Sequence, residues 1–281
     1  MRRTRVRPVP RPFLKWAGGK RQLLPELLKR VDAAGRCGGY HEPFLGGGAL
    51  FFELCRTGRL PGGKACLSDS NDRLMETYRG VRSDPDRLVQ LLSDHAEKHS
   101  KEHYYAVRSC VPSDPVERAA RIIYLNRTCF NGLFRENSKG GFNVPMGRYK
   151  NPTICEEENL RAVSQAIGGV DLETRSFETV LEQVEPGDLV YLDPPYHPVS
   201  ATASFTAYEK NGFGEDAQRQ LAHVYRELTH RGAKALLSNS YTPLVCELYK
   251  GFEMEQVHAR RSVNSRADRR GEVPEALVRN F

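Results

Sequence analysis

The sequence lacks an apolar run long enough to cross a membrane, and it lacks a C-x-x-C pair. A transmembrane helix needs about 20 consecutive apolar residues, so we expect no membrane partner. The seven cysteines lie far apart, which argues against both a disulfide framework and a metal site. The arginine-rich start leads into no apolar secretory segment. We therefore expect a cytoplasmic protein that lives in a reducing compartment and holds no metal.

The positive charge of the chain is concentrated in two segments. The 281 residues carry a net charge of +7, and residues 2–11 contribute five arginines. Residues 118–150 hold seven lysines and arginines against one acid, Glu136. Because the remainder is close to neutral, this pattern is typical of a protein that binds a polyanion. For residues 2–11 alone, a solvated, disordered tail is the simpler explanation.

Asp193-Pro194-Pro195-Tyr196 is the most informative segment of the chain. It follows an apolar run, residues 189–192, that itself comes after a Pro-Gly-Asp turn. A short apolar run between turn residues indicates a buried strand of a parallel sheet. Proline has no N–H for a sheet hydrogen bond, so the strand must end at Asp193. Open α/β sheets bind their ligands at this carboxyl end of the strands.

The same segment carries the groups that can hold a planar amino group. Asp193 can accept one N–H of such a group, and the carbonyl oxygen of Pro194 can accept the other. The two acceptors localise the nitrogen lone pair, while Tyr196 can stack on the ring. Preorganised acceptors stabilise the positive charge that develops when this nitrogen attacks an electrophile. The alternative is an Asp-Pro turn followed by a core tyrosine.

Two glycine-rich segments near the start of the chain predict a cofactor site. Residues 15–20, Lys-Trp-Ala-Gly-Gly-Lys, precede an amphipathic helix that we predict over 22–31. Exposed N–H groups and Lys20 suit an anion there, although a structural glycine turn is an equal alternative. Residues 42–48 end in three glycines, and Asp69 follows about twenty residues later. That spacing suits a carboxylate that binds ribose hydroxyls, which indicates an adenosine-containing cofactor.

The stretch 73–155 interrupts the α/β pattern, and we predict that it forms a second domain. Helical patterns run from Asp86 to His99 and from Pro115 to Asn126, the second capped by Asp114. A basic hairpin with a glycine turn follows over 134–144. The pattern then resumes with a helix at 216–230 and strands at 235–237 and 275–281. Residues 1–72 and 156–281 are thus predicted to form one discontinuous catalytic domain.

Together these segments resemble the Dam-type DNA adenine-N6 methyltransferases, the alpha group of the D12 class. The motifs that carry the resemblance are KWAGGK at 15–20, EPFLGGG at 42–48, the strand end at Asp69, YLNR at 124–127, FNGLFREN at 130–137, FNVPMGRYKNP at 142–152, DPPY at 193–196 and Ser238-Asn239. Several motifs in family order over residues 12–281 are far more specific than one. The resemblance implies an α/β fold, with a Rossmann-like S-adenosylmethionine-dependent methyltransferase sheet that has helices on both faces. It also implies a smaller, mainly helical target-recognition domain that carries a β-hairpin.

The resemblance further implies S-adenosyl-L-methionine as the methyl donor. The residues that it places at this cofactor are Trp16, Lys20, Phe44, Gly46, Gly48, Asp69 and Asp193, with Phe177 as a weaker candidate for packing on its adenine. Catalysis would fall to Asp193, Pro194 and Tyr196. The reaction needs no covalent intermediate, so we expect no catalytic cysteine and a packing role for Cys129.

The implied reaction methylates N6 of an adenine that is flipped out of duplex DNA, with GATC as the expected site. The residues implied at DNA are Lys15, Phe130, Asn131, Leu133, Arg135, Lys139, Pro145, Arg148, Tyr149 and, at a phosphate, Lys150. Arg135 is the sharpest prediction because an arginine can bind guanine O6 and N7, although a phosphate contact is the alternative. The implied partners are double-stranded DNA and, genetically, a cognate restriction endonuclease. We expect a monomer, located at a prokaryotic nucleoid or encoded by a phage.

The sequence departs from the family pattern at three places. Ser240-Tyr241 stands where a histidine and an acid are common, Thr128-Cys129 replaces a more usual pair, and residues 262–270 match only loosely. These departures leave the recognition sequence open. The competing functions are methylation of cytosine N4, of adenine in RNA or of a protein glutamine, and a catalytically silent DNA-binding relative. Asp193 and the basic insertion favour adenine in DNA.

Overall fold

The computed structural model describes residues 8–197, 213–260 and 272–281. The α-helices of these residues are α1 (Leu24–Ala34), α2 (Ala49–Thr57), α3 (Asp72–Ser83), α4 (Pro85–Glu97), α5 (Lys101–Ser109), α6 (Pro115–Thr128), α7 (Glu157–Ala166), α8 (Glu215–His230) and α9 (Pro243–Leu248). The strands are β1 (Tyr40–Glu42), β2 (Ala65–Asp69), β3 (Asp171–Thr174), β4 (Leu189–Leu192), β5 (Lys234–Ser240), β6 (Glu253–Arg260) and β7 (Glu272–Arg279). In these ranges no helix is both long enough and apolar enough to span a bilayer.

The chain divides into two compact units. The first contains the described residues up to Gly19, Gly46–Arg59 and Asn71–Thr174. The second contains Lys20–Leu45, Leu60–Ser70 and the described residues from Arg175 onward. The stretch 73–155, predicted to recognise the target, falls inside the first unit, and its role as a recognition domain stays a prediction.

The second unit is built on a mixed sheet. Six strands follow the order β2-β1-β4-β5-β7-β6. Pairs β1–β2, β1–β4 and β4–β5 are parallel, whereas β7 runs antiparallel to both of its neighbours. The carboxyl ends of four parallel strands therefore meet at one edge. This architecture confirms the predicted α/β class.

Strand β4 forms the centre of this sheet and is buried along its whole length. Side chains alternate between the two faces of a strand. Val190 and Leu192 pack into a core with Leu221 and Tyr225 on the apolar face of α8, the helix predicted over 216–230. Tyr191 points to the opposite face. The predicted C-terminal strand is also confirmed, but it lies inside the sheet because β6, which the sequence pattern did not predict, forms the edge.

The first unit is mainly helical and is organised around α6. Asp114 accepts hydrogen bonds from the backbone N–H groups of Val116 and Glu117, each at 3.0 Å, which confirms the predicted N-cap. A Cβ atom at Gly80 of α3 would lie 2.5 Å from the Cβ of Ala119. Only glycine at this position therefore lets α3 and α6 approach so closely.

Three arginines of α6 correct the charge argument drawn from the sequence. Arg118 binds Glu76 at 2.6 Å, and Arg127 binds Glu156. Arg121 is buried, and its guanidinium donates to the carbonyl oxygens of residues 107 and 108. These cations stabilise the unit internally and are not available to a polyanion. The exposed positive charge of the basic segment is instead carried by residues after 134.

Helices α4, α5 and α6 enclose a cluster of histidines around Tyr124. His95 stacks on Tyr124 with ring centroids 4.7 Å apart, and its Nδ1 lies 2.9 Å from Nε2 of His103. His99 Nδ1 lies 2.9 Å from the Tyr124 hydroxyl. Burial, followed by repulsion from His103 and Lys98, lowers the pKa of His95 to about 4. The folded unit therefore holds His95 neutral at pH values where an exposed histidine is protonated.

This pKa predicts that acid destabilises the protein. Between pH 6.5 and about pH 4 the unfolded chain binds a proton that His95 in the folded chain does not, so the free energy of unfolding falls as pH drops through that window. Because His95 is only half-buried and solvent screens its charge, we expect a loss of about 1–2 kcal/mol. His95→Phe keeps the stacked ring without titrating. Urea unfolding at pH 7.5 and pH 4.5 should show a smaller loss of stability in this variant, and equal losses in the two proteins would contradict the assignment.

Candidate active site

Four side chains of the second unit lie at the carboxyl edge of its parallel strands. In the parallel register Glu42 pairs with Leu67, and His41 pairs with Val190. Counting forward along the three neighbouring strands, Phe44 therefore lies level with both Asp69 and Asp193. Leu192 pairs with Leu237, so the next residue of β5, Ser238, lies beside Asp193. The edge thus collects an aromatic ring, two carboxylates and a hydroxyl.

Asp193 is held by two donors that act on the same oxygen. Lys20 Nζ lies 2.8 Å from Oδ1 of Asp193, and Ser238 Oγ donates to that atom at 2.9 Å. Both charged side chains are mostly buried, with 8% of Lys20 and 18% of Asp193 exposed. Burial raises the pKa of Asp193, and the Lys20 ammonium and the two hydrogen bonds oppose that rise. A buried carboxylate stays ionised only with such partners.

Tyr196 lies beside this pair. Lys20 Nζ is 4.3 Å from the centroid of the Tyr196 ring, which is a cation–π distance. The Tyr196 hydroxyl donates to Glu275 Oε2 at 2.6 Å. Burial and the nearby carboxylates raise its pKa well above the ordinary value, so the phenol stays a donor. Lys20 over the ring face and Glu275 at the hydroxyl thus hold the half-buried ring in place, and Tyr196 is not part of the apolar core.

A buried polar pair fixes the backbone that follows Asp193. Gln218 Nε2 donates to the carbonyl oxygen of Pro195 at 3.0 Å, and Gln218 Oε1 accepts from Asn239 Nδ2 at 2.9 Å. Asn239 Oδ1 accepts from the N–H of His197 at 3.2 Å. Both amide side chains are fully buried. Buried amides with satisfied partners hold a loop in one conformation.

Two acceptors at this edge have no donor among the described residues. One is Oδ2 of Asp193, since both donors to this carboxylate act on Oδ1. The other is the carbonyl oxygen of Pro194, whereas that of Pro195 is taken by Gln218. The sequence predicted this pair of acceptors for an amino group. The geometry leaves both oxygens available for that purpose.

The cofactor residues predicted in the second unit lie around the same edge. Asp69 is the last residue of β2 and is half-buried. Phe44 stacks on Phe177, with ring centroids 5.2 Å apart, and both rings contact Phe213 edge-on or tilted. This unit therefore brings together Lys20, Phe44, Asp69 and Asp193, and adds Phe177 beside Phe44.

The remaining predicted cofactor residues belong to the first unit. Gly46 and Gly48 both have positive φ values, 49° and 66°. A Cβ on Gly48 would lie 3.0 Å from the Tyr78 hydroxyl, and one on Gly47 would lie 3.3 Å from the Cβ of Trp16. A side chain at position 48 would crowd Tyr78 and need a strained backbone, so glycine is required there. Trp16 also packs on Phe134, with ring centroids 5.3 Å apart.

All ten residues predicted to contact DNA lie in the first unit, and all are exposed: Lys15, Phe130, Asn131, Leu133, Arg135, Lys139, Pro145, Arg148, Tyr149 and Lys150. Phe130 and Leu133 are 49% and 39% exposed, and Tyr149 is 37% exposed. Large apolar side chains that are exposed close together, rather than singly, are typical of a contact surface. Their role at DNA remains a prediction.

Asn126 organises this exposed surface from beneath. Its Oδ1 accepts from the N–H of Lys15 at 2.7 Å, and its Nδ2 donates to the carbonyl oxygens of Lys15 and Gly132 at 2.8 and 3.0 Å. A Cβ on Gly132 would lie 2.6 Å from the Lys15 side chain. Asn131 adopts a left-handed conformation with φ of 55°. The fully buried amide thus ties residue 15 to the turn at 130–132.

Two exposed cations of this surface are oriented by neighbours. Lys15 Nζ lies 4.0 Å from the centroid of the Tyr149 ring. Arg135 Nε donates to Asn143 Oδ1 at 2.6 Å, and the N–H of Asn143 donates to the carbonyl oxygen of Arg135 at 2.9 Å. The antiparallel bridge Glu136–Phe142 confirms the short hairpin predicted around these residues. Arg135 is therefore presented on a braced element with Nη1 free of described protein acceptors.

Cys129 lies beneath the same turn and has the packing role predicted for it. It is fully buried, and its Sγ donates to the carbonyl oxygen of Leu133 at 3.2 Å. Burial raises the pKa of the thiol to about 11, which disfavours a nucleophilic thiolate. In the part of the chain that is described, no group of His, Cys, Asp or Glu side chains is arranged to hold a metal ion.

Several of these contacts were not predicted from the sequence. Lys20 and Asp193 were predicted to lie at one cofactor, but their ion pair was not predicted, and neither was a role for Gln218 or Glu275. A signal for Gln218 does exist, since it occupies the apolar face of α8 three residues before Leu221. A polar residue at a buried helical position indicates a structural or functional partner. The loosely matching residues 262–270 lie outside the described part of the chain.

Comparison with known proteins decides the family. Residues 16–263 match the model of the D12 class N6 adenine-specific DNA methyltransferases. The chain belongs to this family. The enzyme is also 41% identical over 279 residues to the type II methyltransferase M1.LlaDCHI of Lactococcus lactis subsp. cremoris, covering 96% of this chain and 95% of that protein.

Two further relatives span nearly the whole methyltransferase. The type II methyltransferase M.MjaIII of Methanocaldococcus jannaschii is 43% identical over 288 residues, covering 96% of this chain and 99% of that protein. The DNA adenine methylase of Escherichia coli is 37% identical over 272 residues, covering 95% and 94%. The predicted family and enzyme class are confirmed. The family identifies DNA as the substrate and S-adenosylmethionine as the methyl donor.

Proposed function

We propose that the enzyme transfers a methyl group to N6 of an adenine that is flipped out of duplex DNA, within the sequence GATC. The observation that supports this best is the pair of acceptors at residues 193 and 194, which have no donor in the described protein and lie beside the Tyr196 ring. An exocyclic amine with two N–H groups and an adjoining aromatic ring matches this arrangement. The adenine methylase of Escherichia coli supports the choice of base.

Asp193 and Pro194 act on the amine of the bound adenine. Asp193 Oδ2 accepts one N–H, and the Pro194 carbonyl oxygen accepts the other. These bonds move the nitrogen from planar toward tetrahedral, so its lone pair becomes available. As the nitrogen–methyl bond forms and the methyl–sulfur bond breaks, the Asp193 carboxylate offsets the positive charge on nitrogen and can accept the proton that the methylated amine releases. Lys20 and Ser238 hold this carboxylate ionised and oriented before the reaction.

Bound S-adenosylmethionine supplies a methyl group on a positively charged sulfur. The polar side chains at the sheet edge fit this molecule, because Asp69 is a hydrogen-bond acceptor at a strand end and Lys20 is a buried cation. We propose that Asp69 binds the ribose hydroxyls, Lys20 the methionine carboxylate, and Phe44 with Phe177 the adenine ring. Trp16, Gly46 and Gly48 are assigned to the same cofactor from the family motifs.

Base flipping follows from the depth of the acceptor pair. An adenine stacked in duplex DNA cannot place N6 against a mostly buried carboxylate, and extruding the base costs a few kcal/mol. Stacking on Tyr196 offsets part of this cost. We propose that Phe130 and Asn131 fill the space left by the extruded base or contact the DNA strand beside it. Phe130 suits this role because it is a half-exposed ring on a turn that Asn126 fixes.

Sequencing that detects modified bases tests the proposed reaction. Plasmid DNA from cells that express the enzyme should carry N6-methyladenine in GATC, and DNA from cells with an empty vector should not, in a host without its own adenine methylase. Methyl groups on cytosine, RNA or protein would support the competing acceptors. Methyladenine in a different motif would rule out GATC as the recognition sequence but would still support methylation of adenine in DNA. An absence of any transfer would favour the silent relative.

Arg135→Ala is expected to weaken sequence recognition. The braced guanidinium is the best-oriented candidate to bind guanine O6 and N7, a contact worth about 1–3 kcal/mol against a wrong base. Methylation of the preferred site should fall roughly 10- to 100-fold, whereas methylation of sites with a changed guanine should fall much less. Competition between two duplexes that differ at one base pair measures this ratio.

Lys139→Ala is the matched control for Arg135→Ala. Lys139 is an exposed cation on the turn of the same hairpin, and we assign it to a phosphate. Its loss should weaken binding about equally for all sequences and reduce the salt dependence of affinity. If Arg135→Ala behaves in the same way as Lys139→Ala, Arg135 contacts phosphate and does not recognise a base.

The partners beyond DNA are also proposals. The two relatives named as type II methyltransferases support a genetic association with a restriction endonuclease. We propose that the enzyme acts as a monomer, because each strand of a palindromic site can be methylated independently. Light scattering on the free enzyme and on its complex with a short duplex distinguishes one copy from two.

A further inference from the structure

Two buried hydroxyl groups connect to the oxygen of Asp193 that also binds Lys20. Ser238 Oγ donates to Asp193 Oδ1 at 2.9 Å, and the Tyr191 hydroxyl lies 3.0 Å from Ser238 Oγ. Since Ser238 uses its only proton toward Asp193, Tyr191 must donate to Ser238. Burial and the charge of Asp193 raise the pKa of Tyr191 well above the ordinary value, so its proton stays in place.

The sheet explains why these groups meet. Tyr191 and Asp193 are two residues apart and therefore project from the same face at the end of β4. Leu192 pairs with Leu237, so Ser238 is the residue of β5 directly beside Asp193. Asn239, the next residue, points to the opposite face and binds Gln218 of α8. Of this adjacent pair, Ser238 therefore binds the Asp193 carboxylate, whereas Asn239 binds Gln218 and the backbone that follows Asp193.

We propose that Ser238 and Tyr191 are positioning residues that fix the Asp193 carboxylate so that Oδ2 alone faces the substrate amine. Lys20 and Ser238 both act on Oδ1, at 2.8 and 2.9 Å, and together they define the plane of the carboxylate. Without the hydroxyl, the carboxylate can rotate about its Cβ–Cγ bond while it keeps its ion pair. This inference rests on the proposed role of Asp193.

Hydroxyl groups suit this task better than a second cation. The charged and titratable groups around Asp193 and Tyr191 are Lys20, Glu42, Tyr196 and Glu275. Lys20 already supplies one positive charge, and a second one would weaken the negative charge that Asp193 needs opposite the amine. The Ser238 hydroxyl is fully buried and the Tyr191 side chain is 1% exposed, so water does not compete for the hydrogen bonds of either hydroxyl group. Both groups are held rigidly, as preorganised catalysis requires.

Steady-state kinetics of Ser238→Ala test the proposal. We expect kcat to fall roughly 10- to 100-fold while KM for DNA and for S-adenosylmethionine stays within about twofold of the wild type. The Ser238 hydrogen bond lowers the pKa of Asp193, and Asp193 must be ionised to accept an N–H. Its removal should therefore shift the acidic limb of the kcat profile to higher pH. A wild-type profile in this variant would overturn the proposal.

Further variants separate the hydroxyl from packing. Ser238→Thr keeps the hydroxyl and should recover most of the rate and the pH profile. A threonine variant as slow as the alanine variant would contradict the positioning role of the hydroxyl. Tyr191→Phe should give a smaller rate loss, about 3- to 10-fold, with a shift of the limb in the same direction. Its control is Tyr225→Phe, which removes a buried hydroxyl bound to the carbonyl of residue 235 and should leave the profile unchanged.

Asp193→Asn distinguishes a failure of this inference from a failure of the proposed function. If the asparagine variant is inactive but Ser238→Ala and Tyr191→Phe match the wild type, then Asp193 is catalytic and the two hydroxyl groups do not position it. If the asparagine variant retains full activity, the proposed role of Asp193 fails first. Should Ser238→Ala prove insoluble, Tyr191→Phe still decides the question because it keeps the ring that fills the core.

Discussion

Asp193→Ala is expected to reduce the rate of methyl transfer at least about 1,000-fold while affinity for DNA stays within a few fold. The substitution removes the carboxylate that would accept an amine N–H and offset the charge on nitrogen. It leaves the exposed residues of the first unit unchanged. Single-turnover transfer of labelled methyl groups, together with fluorescence anisotropy of a labelled duplex, measures the two quantities separately.

Two further variants control this experiment. Asp193→Asn keeps the side-chain volume and an oxygen for Lys20 and Ser238, so it should fold normally yet remain nearly inactive. Asp171→Ala removes an exposed aspartate of β3 and should have the wild-type rate. If Asp193→Ala transfers methyl groups at more than about a tenth of the wild-type rate, the acceptor pair does not carry the reaction.

Lys20→Met is expected to cause the second largest loss. Removing one partner of a buried ion pair leaves the other charge unpaired, at a cost of about 3–5 kcal/mol. Burial already raises the pKa of Asp193, and Lys20 is the main group that opposes the rise. The variant should therefore lose at least about 100-fold in kcat near neutral pH and recover part of it as pH increases, since higher pH restores the ionised acid.

The design of this experiment separates the two roles of Lys20. Rates are measured at saturating S-adenosylmethionine, which removes any effect on cofactor affinity. Lys20→Arg keeps the positive charge and should retain the wild-type position of the acidic limb, even if its larger head lowers the rate. A Lys20→Met variant with raised KM for the cofactor but a wild-type kcat profile would show that Lys20 serves the cofactor alone.

The fold was largely predictable because its signals are local. The apolar run before Asp193, the capping aspartate at position 114 and the apolar face of α8 each depend on residues within a few turns of one another. Strand β6 was missed because its sequence, Glu-Met-Glu-Gln-Val-His-Ala-Arg, carries little apolar alternation. It is stabilised by pairing with β7, and a sequence pattern does not contain that information.

The residues that meet at the sheet edge could be selected from motifs, but the contacts between them could not. Motifs identified Lys20 and Asp193, yet their ion pair joins positions 173 residues apart. The basic segment shows the opposite error, because a count of charges cannot tell which arginines of α6 meet a carboxylate. Arg118 and Arg127 bind Glu76 and Glu156, so they are part of the fold. Long-range partners therefore decide both where charge is available and which oxygen of an acid is free.

The proposed reaction requires that the amine of an extruded adenine lies between Asp193 Oδ2 and the Pro194 carbonyl oxygen. A crystal structure of the enzyme with S-adenosylhomocysteine and a duplex that contains its recognition site would show this geometry. We expect an adenine outside the helix, stacked on Tyr196, with N6 about 2.7–3.2 Å from both oxygens. An adenine that remains stacked in the duplex, or an N6 bound by other groups, would contradict it.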